Sequence, residues 1–398
     1  MEFTVTKKLL SPILERLVYV VANERQAYDK LDYLSIKAEN DKLMLATSNG
    51  YIKALFTLVN GESLSINSPG DAVVSVKRMR DIVDAAGDED RLDIKSDGKT
   101  NLSRNIIGQK RSIKIQVIPE PADVELKKVN SKVNFQISSN LFCDCVDQII
   151  PWAGVEEYKQ KYKQMYMEFK KEETRFVCGD GEKFAVIINR DNSNTEKFEN
   201  NEKSNGYIIP AEQAKILSRL FSDTTSINMI FGQTTYLFKS DNIQVIIDGI
   251  PIDYINYLPY NKQIERLSSR KFSAQISGTI YSSLVQDMES IRDSEYEKRR
   301  GCIPLNINLS SSGLSCKTNF HNVFESSIEL DKFESFAQEK ELSDDYAIGL
   351  FSDVLKFGNS NCYEFSFMGK DDLVFCKFLD DPEESKRIIF FAPVAESN

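Results

Sequence analysis

Residues Phe3–Val21 read "FTVTKKLLSPILERLVYVV", a short alternating segment that runs into helical spacing. Phe3 and Val5 alternate with threonines, as on a half-buried strand. Leu10, Ile13, Leu14, Leu17 and Val21 then fall on one face of a helix. Thr6 is the expected N-cap. Pro12 lies beyond the first turn of a helix that begins there, so a kink or a later start is expected. The same shape returns as "FQISSNLFCDCVDQII" and as "FSAQISGTIYSSLVQDMESI". The leading phenylalanines, Phe3, Phe135 and Phe272, are 132 and 137 residues apart.

A second kind of helix recurs in step. "VVSVKRMRDIVDAA" begins at Val73, "YIIPAEQAKILSRLF" at Tyr207 and "DYAIGLFSDVLKFG" at Asp345, at intervals of 134 and 138 residues. Alternating segments such as "RLDIKS", "SINMIF" and "YEFSFM" follow each one. Two sets of intervals that agree predict a triplicated α+β unit, with two helices packed on antiparallel sheets. The expected domains are 1–127, 128–259 and 260–398.

Bulk composition narrows the chemistry. The 398 residues are 41% hydrophobic and 28% charged, enough for ordinary cores at two to four domains. Runs such as "RLVYVVA" are too short to cross a bilayer, and the N-terminus shows no signal-peptide pattern, so a cytoplasmic protein without membrane contact is expected. Seven cysteines without a C-x-x-C pair give neither a disulfide framework nor a zinc site. His321 is the only histidine, which removes most histidine-based triads and metal sites. No cofactor is expected. The net charge of −10 disfavours a nonspecific grip on nucleic acid unless basic residues are gathered locally.

The stretch "RFVCGDGEKFAV", Arg175–Val186, places Asp180-Gly181 between apolar runs. That is a hairpin signal in which both turn residues take positive φ. "RSIKIQVI" reads as a strand with Ile113, Ile115 and Val117 alternating with Lys114 and Gln116. Both an edge strand and an internal strand fit that pattern.

Taken in order and spacing, "MEFTVTKKLLSPIL", "VCGDGEKFAV", "DGIPIDYINYLP" and "IIFFAPV" resemble the bacterial DNA polymerase III beta subunit, the sliding clamp, over essentially the whole length. The resemblance implies three clamp domains per chain and a homodimeric ring of six. Twelve lining helices at about 10 Å each give a circle roughly 38 Å across, wide enough for a duplex. Double-stranded DNA would be held topologically and without sequence preference. DNA polymerase and clamp loader would dock through short linear peptides.

The resemblance also implies site residues. The peptide groove between the second and third domains would use Lys159, Tyr162, Gly179, Gly181, Lys183, Phe184, Ile252, Asn256, Tyr257, Ala392, Pro393 and Val394, with Leu373 or Val374 nearby. Asn256 stands where the family carries an arginine and Tyr257 where it carries a small apolar residue. For Phe184 and Ile252 a plain core role is equally open. The DNA-facing candidates are Lys7, Lys8, Arg16, Arg25, Lys77, Arg80, Lys215 and Arg219; Asp287 and Glu289 make the lining uneven. Ring closure would use Ile113, Ile115 and Val117, with Ile291 on the opposing side.

On this reading the chain is a processivity factor and not an enzyme. Two alternatives stand beside it. One is a carboxylate-dependent hydrolase using Glu156-Glu157, Asp371-Asp372 or Asp380-Asp381. The other is a ring or decoy that no longer binds polymerase.

Overall fold

The computed structural model describes residues 1–21, 32–130, 134–154, 162–170, 172–190, 205–249, 260–292, 303–318 and 324–392. One order of elements runs through it three times. The first pass is β1 (Glu2–Thr6), α1 (Lys7–Val20), β2 (Tyr33–Ala38), β3 (Lys42–Ser48), β4 (Ile52–Val59), β5 (Leu64–Ser68), β6 (Gly70–Ser75), α2 (Val76–Asp84), β7 (Arg91–Ser96), β8 (Asn101–Ile106) and β9 (Ser112–Gln116). The second is β10 (Asn134–Ser138), α3 (Ser139–Ile149), β11 (Gln164–Phe169), β12 (Thr174–Gly179), β13 (Lys183–Asn189), β14 (Asn205–Pro210), α4 (Ala211–Phe221), β15 (Ser226–Phe231), β16 (Thr235–Lys239) and β17 (Ile243–Asp248). A short helix, α5 (Tyr260–Arg266), leads into the third. That pass is β18 (Phe272–Ser277), α6 (Gly278–Ile291), β19 (Pro304–Ser310), β20 (Gly313–Thr318), β21 (Phe324–Ile328), β22 (Lys332–Ser335), β23 (Glu341–Ala347), α7 (Ile348–Phe357), β24 (Cys362–Phe367), β25 (Val374–Phe378) and β26 (Ser385–Phe391).

Local sequence accounts for most of these elements. In β1, Phe3 and Val5 are fully buried while their neighbours are not. Leu10, Ile13, Leu14, Leu17 and Val20 form the buried stripe of α1. The helix begins at Lys7, with Thr6 as an N-cap that makes no side-chain bond. Pro12 neither delays nor ends it, contrary to expectation. The ring stands on the exposed side, and the helix runs through with one backbone donor missing. In α2 the cap is complete, since the Ser75 hydroxyl accepts from the Arg78 amide at 3.2 Å.

Contacts divide the chain into two compact units: Met1–Asp144 with Glu212–Ile250, and Cys145–Ala211 with Pro251–Asn398. The units cut through the second repeat because its two halves enter different sheets. In the first unit, an eight-stranded sheet runs β10-β15-β16-β17-β4-β3-β2-β6, and a five-stranded sheet runs β5-β1-β7-β8-β9. In the second, a nine-stranded sheet runs β14-β11-β12-β13-β26-β25-β24-β18-β22, and a four-stranded sheet runs β21-β20-β19-β23. The repeats therefore fuse through two antiparallel junctions, β17 with β4 and β26 with β13. Each joins the last strand of one repeat to the fourth position of the repeat before it.

Helices pack on the sheets, α1 on β3 and β4 and α6 on β18 and β21. α1 packs along α2, and α6 along α7, where the Tyr281 hydroxyl donates to the Phe351 carbonyl at 2.7 Å. Burial pushes the Tyr281 hydroxyl well above the usual phenol range, so it stays a neutral donor. The third repeat is packed with aromatics: Tyr281 lies 4.8 Å from Tyr363 and 5.2 Å from Phe365, centroid to centroid.

Candidate functional site

The β12–β13 hairpin turns one residue later than the Asp-Gly pair suggests. The Asp180 amide donates to the Lys183 carbonyl at 3.1 Å, so Gly181 and Glu182 are the central residues. Among the described residues of this turn only Gly181 has positive φ, at 100°. Asp180 instead acts through its side chain. Its carboxylate accepts from the amides of Glu182 at 2.9 Å and Lys183 at 3.0 Å. Glycine at the first central position is what a type II′ hairpin requires.

The glycines also make room for rings. A Cβ on Gly179 would overlap the Phe184 ring, its neighbour across the ladder. A Cβ on Gly181 would lie 2.9 Å from the Tyr162 ring. The Ala392 amide reaches the Glu182 carbonyl at 3.0 Å, which brings the chain's tail to the same turn. Tyr162, Gly179, Gly181, Phe184 and Ala392 are thus gathered at one place in the second unit.

Phe184 stacks on Phe390 at 5.0 Å, and Phe390 lies 5.4 Å from Phe375. With Val177, Val186, Tyr260, Leu267, Met368 and Ile388 these form an apolar cluster on one face of the nine-stranded sheet. Phe184 and Leu373 pack on it while partly exposed. Val374 is fully buried, paired with Phe391 on the other side of the sheet, and takes no part in this surface. A polar margin borders the cluster. The Tyr260 hydroxyl donates to the buried Glu168 carboxylate, Lys170 stands 3.4 Å from Glu168, and the Arg175 guanidinium lies 5.9 Å from the centre of the Tyr260 ring. Burial, then the Glu168 charge, raises the Tyr260 hydroxyl, and burial pushes the Tyr166 hydroxyl up to about 12. Both rings stay neutral at any physiological pH.

Lys183 is committed elsewhere. Its ammonium pairs with the Asp353 carboxylate of α7 and lies 5.3 Å from the Trp152 ring centre. Trp152, Asp353, Tyr260, Phe375 and Phe390 were not among the expected residues. The aromatic spacing in "VFCKFL" and "IIFFAP" was a sequence signal for Phe375 and Phe390 alone. Lys159, Ile252, Asn256, Tyr257, Pro393 and Val394 lie outside the described residues.

The same turn occurs in the first repeat. The Asn49 side chain accepts from the amides of Tyr51 and Ile52 at 3.0 and 2.9 Å, Gly50 has φ of 91°, and the Asp248 amide reaches the Tyr51 carbonyl at 3.1 Å. There the position of Phe184 is held by Lys53. Its ammonium extends to Asp123 at 2.6 Å and to the Glu125 carbonyl at 2.7 Å. Val124 and Leu126 of that connector cover Met44, Ala46 and Leu55. The first junction is closed by its own chain, whereas Phe184 and Leu373 of the second remain partly exposed.

The expected DNA-facing cations divide in two. Lys7 donates to the Ala86 carbonyl at 2.7 Å and to Asp88 at 2.9 Å, bracing the end of α2. Arg16 pairs with Asp223, and Arg80 with Asp81 at 2.7 Å. Lys8, Lys215 and Arg219 are exposed, and Lys77 is half-buried. None of these four makes an ion pair among the described residues. Arg25 lies outside the described residues.

β9 is an edge strand, which resolves the ambiguity of "RSIKIQVI". Ile115 and Val117 are buried, whereas Ile113 is 37% exposed and Ile107, in the adjoining turn, is 55% exposed. Ile291 ends α6, which packs against β21.

The paired carboxylates have structural work. Asp372 pairs with Arg266; Asp380 accepts from Ser360 and from the Asn361 amide; Asp381 holds Arg387. Asp371 adopts φ of 56° in a turn, and Glu156-Glu157 lie outside the described residues. Among the described residues, no group of three histidine, cysteine or carboxylate side chains is placed to hold a metal. No helix there is long and apolar enough to cross a membrane.

Neither a family model nor any curated protein matches the sequence. Solved structures do. The DNA polymerase sliding clamp of Bacillus subtilis superposes with a TM-score of 0.80 at 16% identity, covering 99% of both chains. The DNA polymerase III beta chain of Streptococcus pneumoniae gives 0.82 at 17%, with 99% of both covered. The beta subunit of Thermotoga maritima gives 0.81 at 14%, with 100% of both covered. The fold is that of the bacterial sliding clamps, from end to end.

Proposed function

We propose that this protein is a DNA sliding clamp, a non-catalytic processivity factor. Two copies close into a ring of six domains, 1–127, 128–259 and 260–398 in each chain. The ring encircles duplex DNA in the cytoplasm and tethers polymerase and clamp loader through short peptides.

The recurrence of the sheet junction carries this reading. Within the chain, β17 pairs with β4 and β26 with β13. A third junction of the same kind needs β9 and β21, and these two are both terminal strands of their sheets. They meet head to tail between copies, which closes a ring when the rotation permits. A register for this contact is carried over from the two ladders within the chain. Val245 faces Ala54 in the first junction and Ile389 faces Ala185 in the second, all four fully buried. The matching positions in β9 and β21 are Ile113 and Phe324. Half-exposed Ile113 gains an apolar partner, and Ser112 falls opposite Glu325. Ile291 lies close by, at the end of α6.

The cluster around Phe184 and Leu373 suits a short apolar segment, with Lys170 and Arg175 at its polar margin. The first junction offers no such opening, because Lys53 and the Val124–Leu126 connector fill it.

The test combines mass in solution with retention on DNA. A dimer that stays on nicked circular DNA and leaves when the circle is cut is expected. A compact monomer at micromolar concentration that is equally retained on linear and circular DNA overturns the reading.

A further inference from the structure

The apolar cluster beside Phe184 is roofed from outside the sheet. α5 and the residue after it bring Tyr260, Ile264 and Leu267 onto the cluster. Val177, Val186, Phe375 and Phe390 are buried there, while Phe184 and Leu373 stay partly exposed.

The two ends of α5 are fixed to distant strands. Tyr260 is 2% exposed, its hydroxyl donates to Glu168 of β11, and the Arg175 guanidinium of β12 stands 5.9 Å from its ring centre. At the other end Arg266 pairs with Asp372, which adjoins Leu373 at the entry to β25. β11 and β25 are four places apart in the sheet, about 19 Å. A helix of seven residues is about 10 Å long, so the side chains at its ends span the remainder.

The two fastenings differ in strength. Glu168 is 3% exposed, so parting it from the Tyr260 hydroxyl costs a buried, charge-assisted hydrogen bond. The Arg266 and Asp372 side chains are 40% and 33% exposed. An ion pair so open to water is weak and is screened by salt. Ser268 and Ser269 are also exposed, and they join this end of α5 to β18.

We infer that α5 is a hinged wall of the peptide groove: it turns about Tyr260, and the Arg266–Asp372 pair latches its far end over the apolar cluster. The inference rests on the groove reading above. With the latch closed, a partner segment meets only Phe184 and Leu373. Release at the Arg266 end withdraws Ile264 and Leu267 and uncovers part of the buried floor beside Leu373. A segment that binds this opened form loses affinity in proportion to the fraction of molecules still latched, so the pair tunes how tightly partners are held.

Random peptides about twelve residues long, selected on the immobilised full-length protein, supply the probe, and one without charged side chains is labelled for anisotropy. Asp372→Asn keeps the oxygen that accepts from the Leu373 amide but loses the charge. Arg266→Gln removes the other partner. Each variant should bind the peptide about two- to fivefold tighter than the wild type at about 25 mM salt. At about 500 mM salt the wild type should approach the variants, because the latch is screened, and the variants should not change. Hydrogen exchange of the α5 amides should quicken in the variants by the same factor, with β12 and β13 unaffected. Equal or weaker binding in both variants, one salt response shared by all three proteins, or unchanged α5 exchange would each overturn the inference. Phe184→Ala separates it from the groove reading. A library that yields no binder, or a peptide indifferent to Phe184→Ala, removes both claims. A peptide that needs Phe184 but binds the wild type and both latch variants alike keeps the groove and removes the latch.

Discussion

The Phe184 ring lies directly over the α-carbon of Gly179, its partner across the β12–β13 ladder. Glycine there is a packing requirement, since any Cβ would overlap the ring. Gly179→Ala should cost about 1–3 kcal/mol, as overpacked sites do. Chemical denaturation measures it. In a Phe184→Ala background the cost should shrink, because the ring that the methyl meets is gone; an equal cost in both backgrounds would show that the strain is in the backbone alone.

Ile113 and Phe324 provide the test of ring closure. With both changed to cysteine, oxidation should give a covalent dimer on a non-reducing gel, and neither single variant should. Ile113→Asp should shift the protein toward monomer by placing a carboxylate opposite an aromatic ring in the proposed β9–β21 sheet between copies. A dimer indifferent to this change would place the contact elsewhere.

Pro12 sits on the exposed side of α1 with five helical residues before it. Pro12→Ala restores the missing donor and removes the ring's steric conflict. Proline in a helix interior costs about 3 kcal/mol relative to alanine, and part of that should be recovered as a higher denaturation midpoint. A lower midpoint would mean that the proline constrains the unfolded chain more than it disturbs the helix.

Asp380 makes a prediction about acid. The Ser360 hydroxyl and then the Asn361 amide hold its carboxyl below the ordinary value of 3.8. Between the lowered folded value and the unfolded one, the unfolded chain binds more protons, so stability rises with pH. The contribution is present above the unfolded value and is lost as pH falls through the folded one. Asp380→Asn should lose this part of the acid-range slope of the denaturation midpoint. An identical slope in the variant would assign the acid sensitivity to other carboxylates.

The helical stripes were legible because they are local. Leu10, Ile13, Leu14 and Leu17 share a face by the geometry of 3.6 residues per turn, whatever surrounds them. The hairpin at Asp180 was visible for the same reason, although its centre moved by one residue once the Asp180 carboxylate engaged the amides of Glu182 and Lys183. Lys183 shows the limit. Sequence places it beside the turn, but only folding brings Asp353, far along the chain, to its ammonium. Val374 and Leu373 differ by one position, and which of them joins the surface near Phe184 follows from the register of β25 on β26.

By itself the sequence determined the triplication, the two helices of each repeat, the turn glycines and the strand alternation, since each depends on neighbours within a few residues. Only the tertiary structure decided that the repeats fuse through β17 with β4 and β26 with β13, that β9 and β21 are left as sheet ends, and which cations are locked. Those outcomes depend on strand pairing and charge contacts between residues far apart in the chain, whose partners no local pattern encodes.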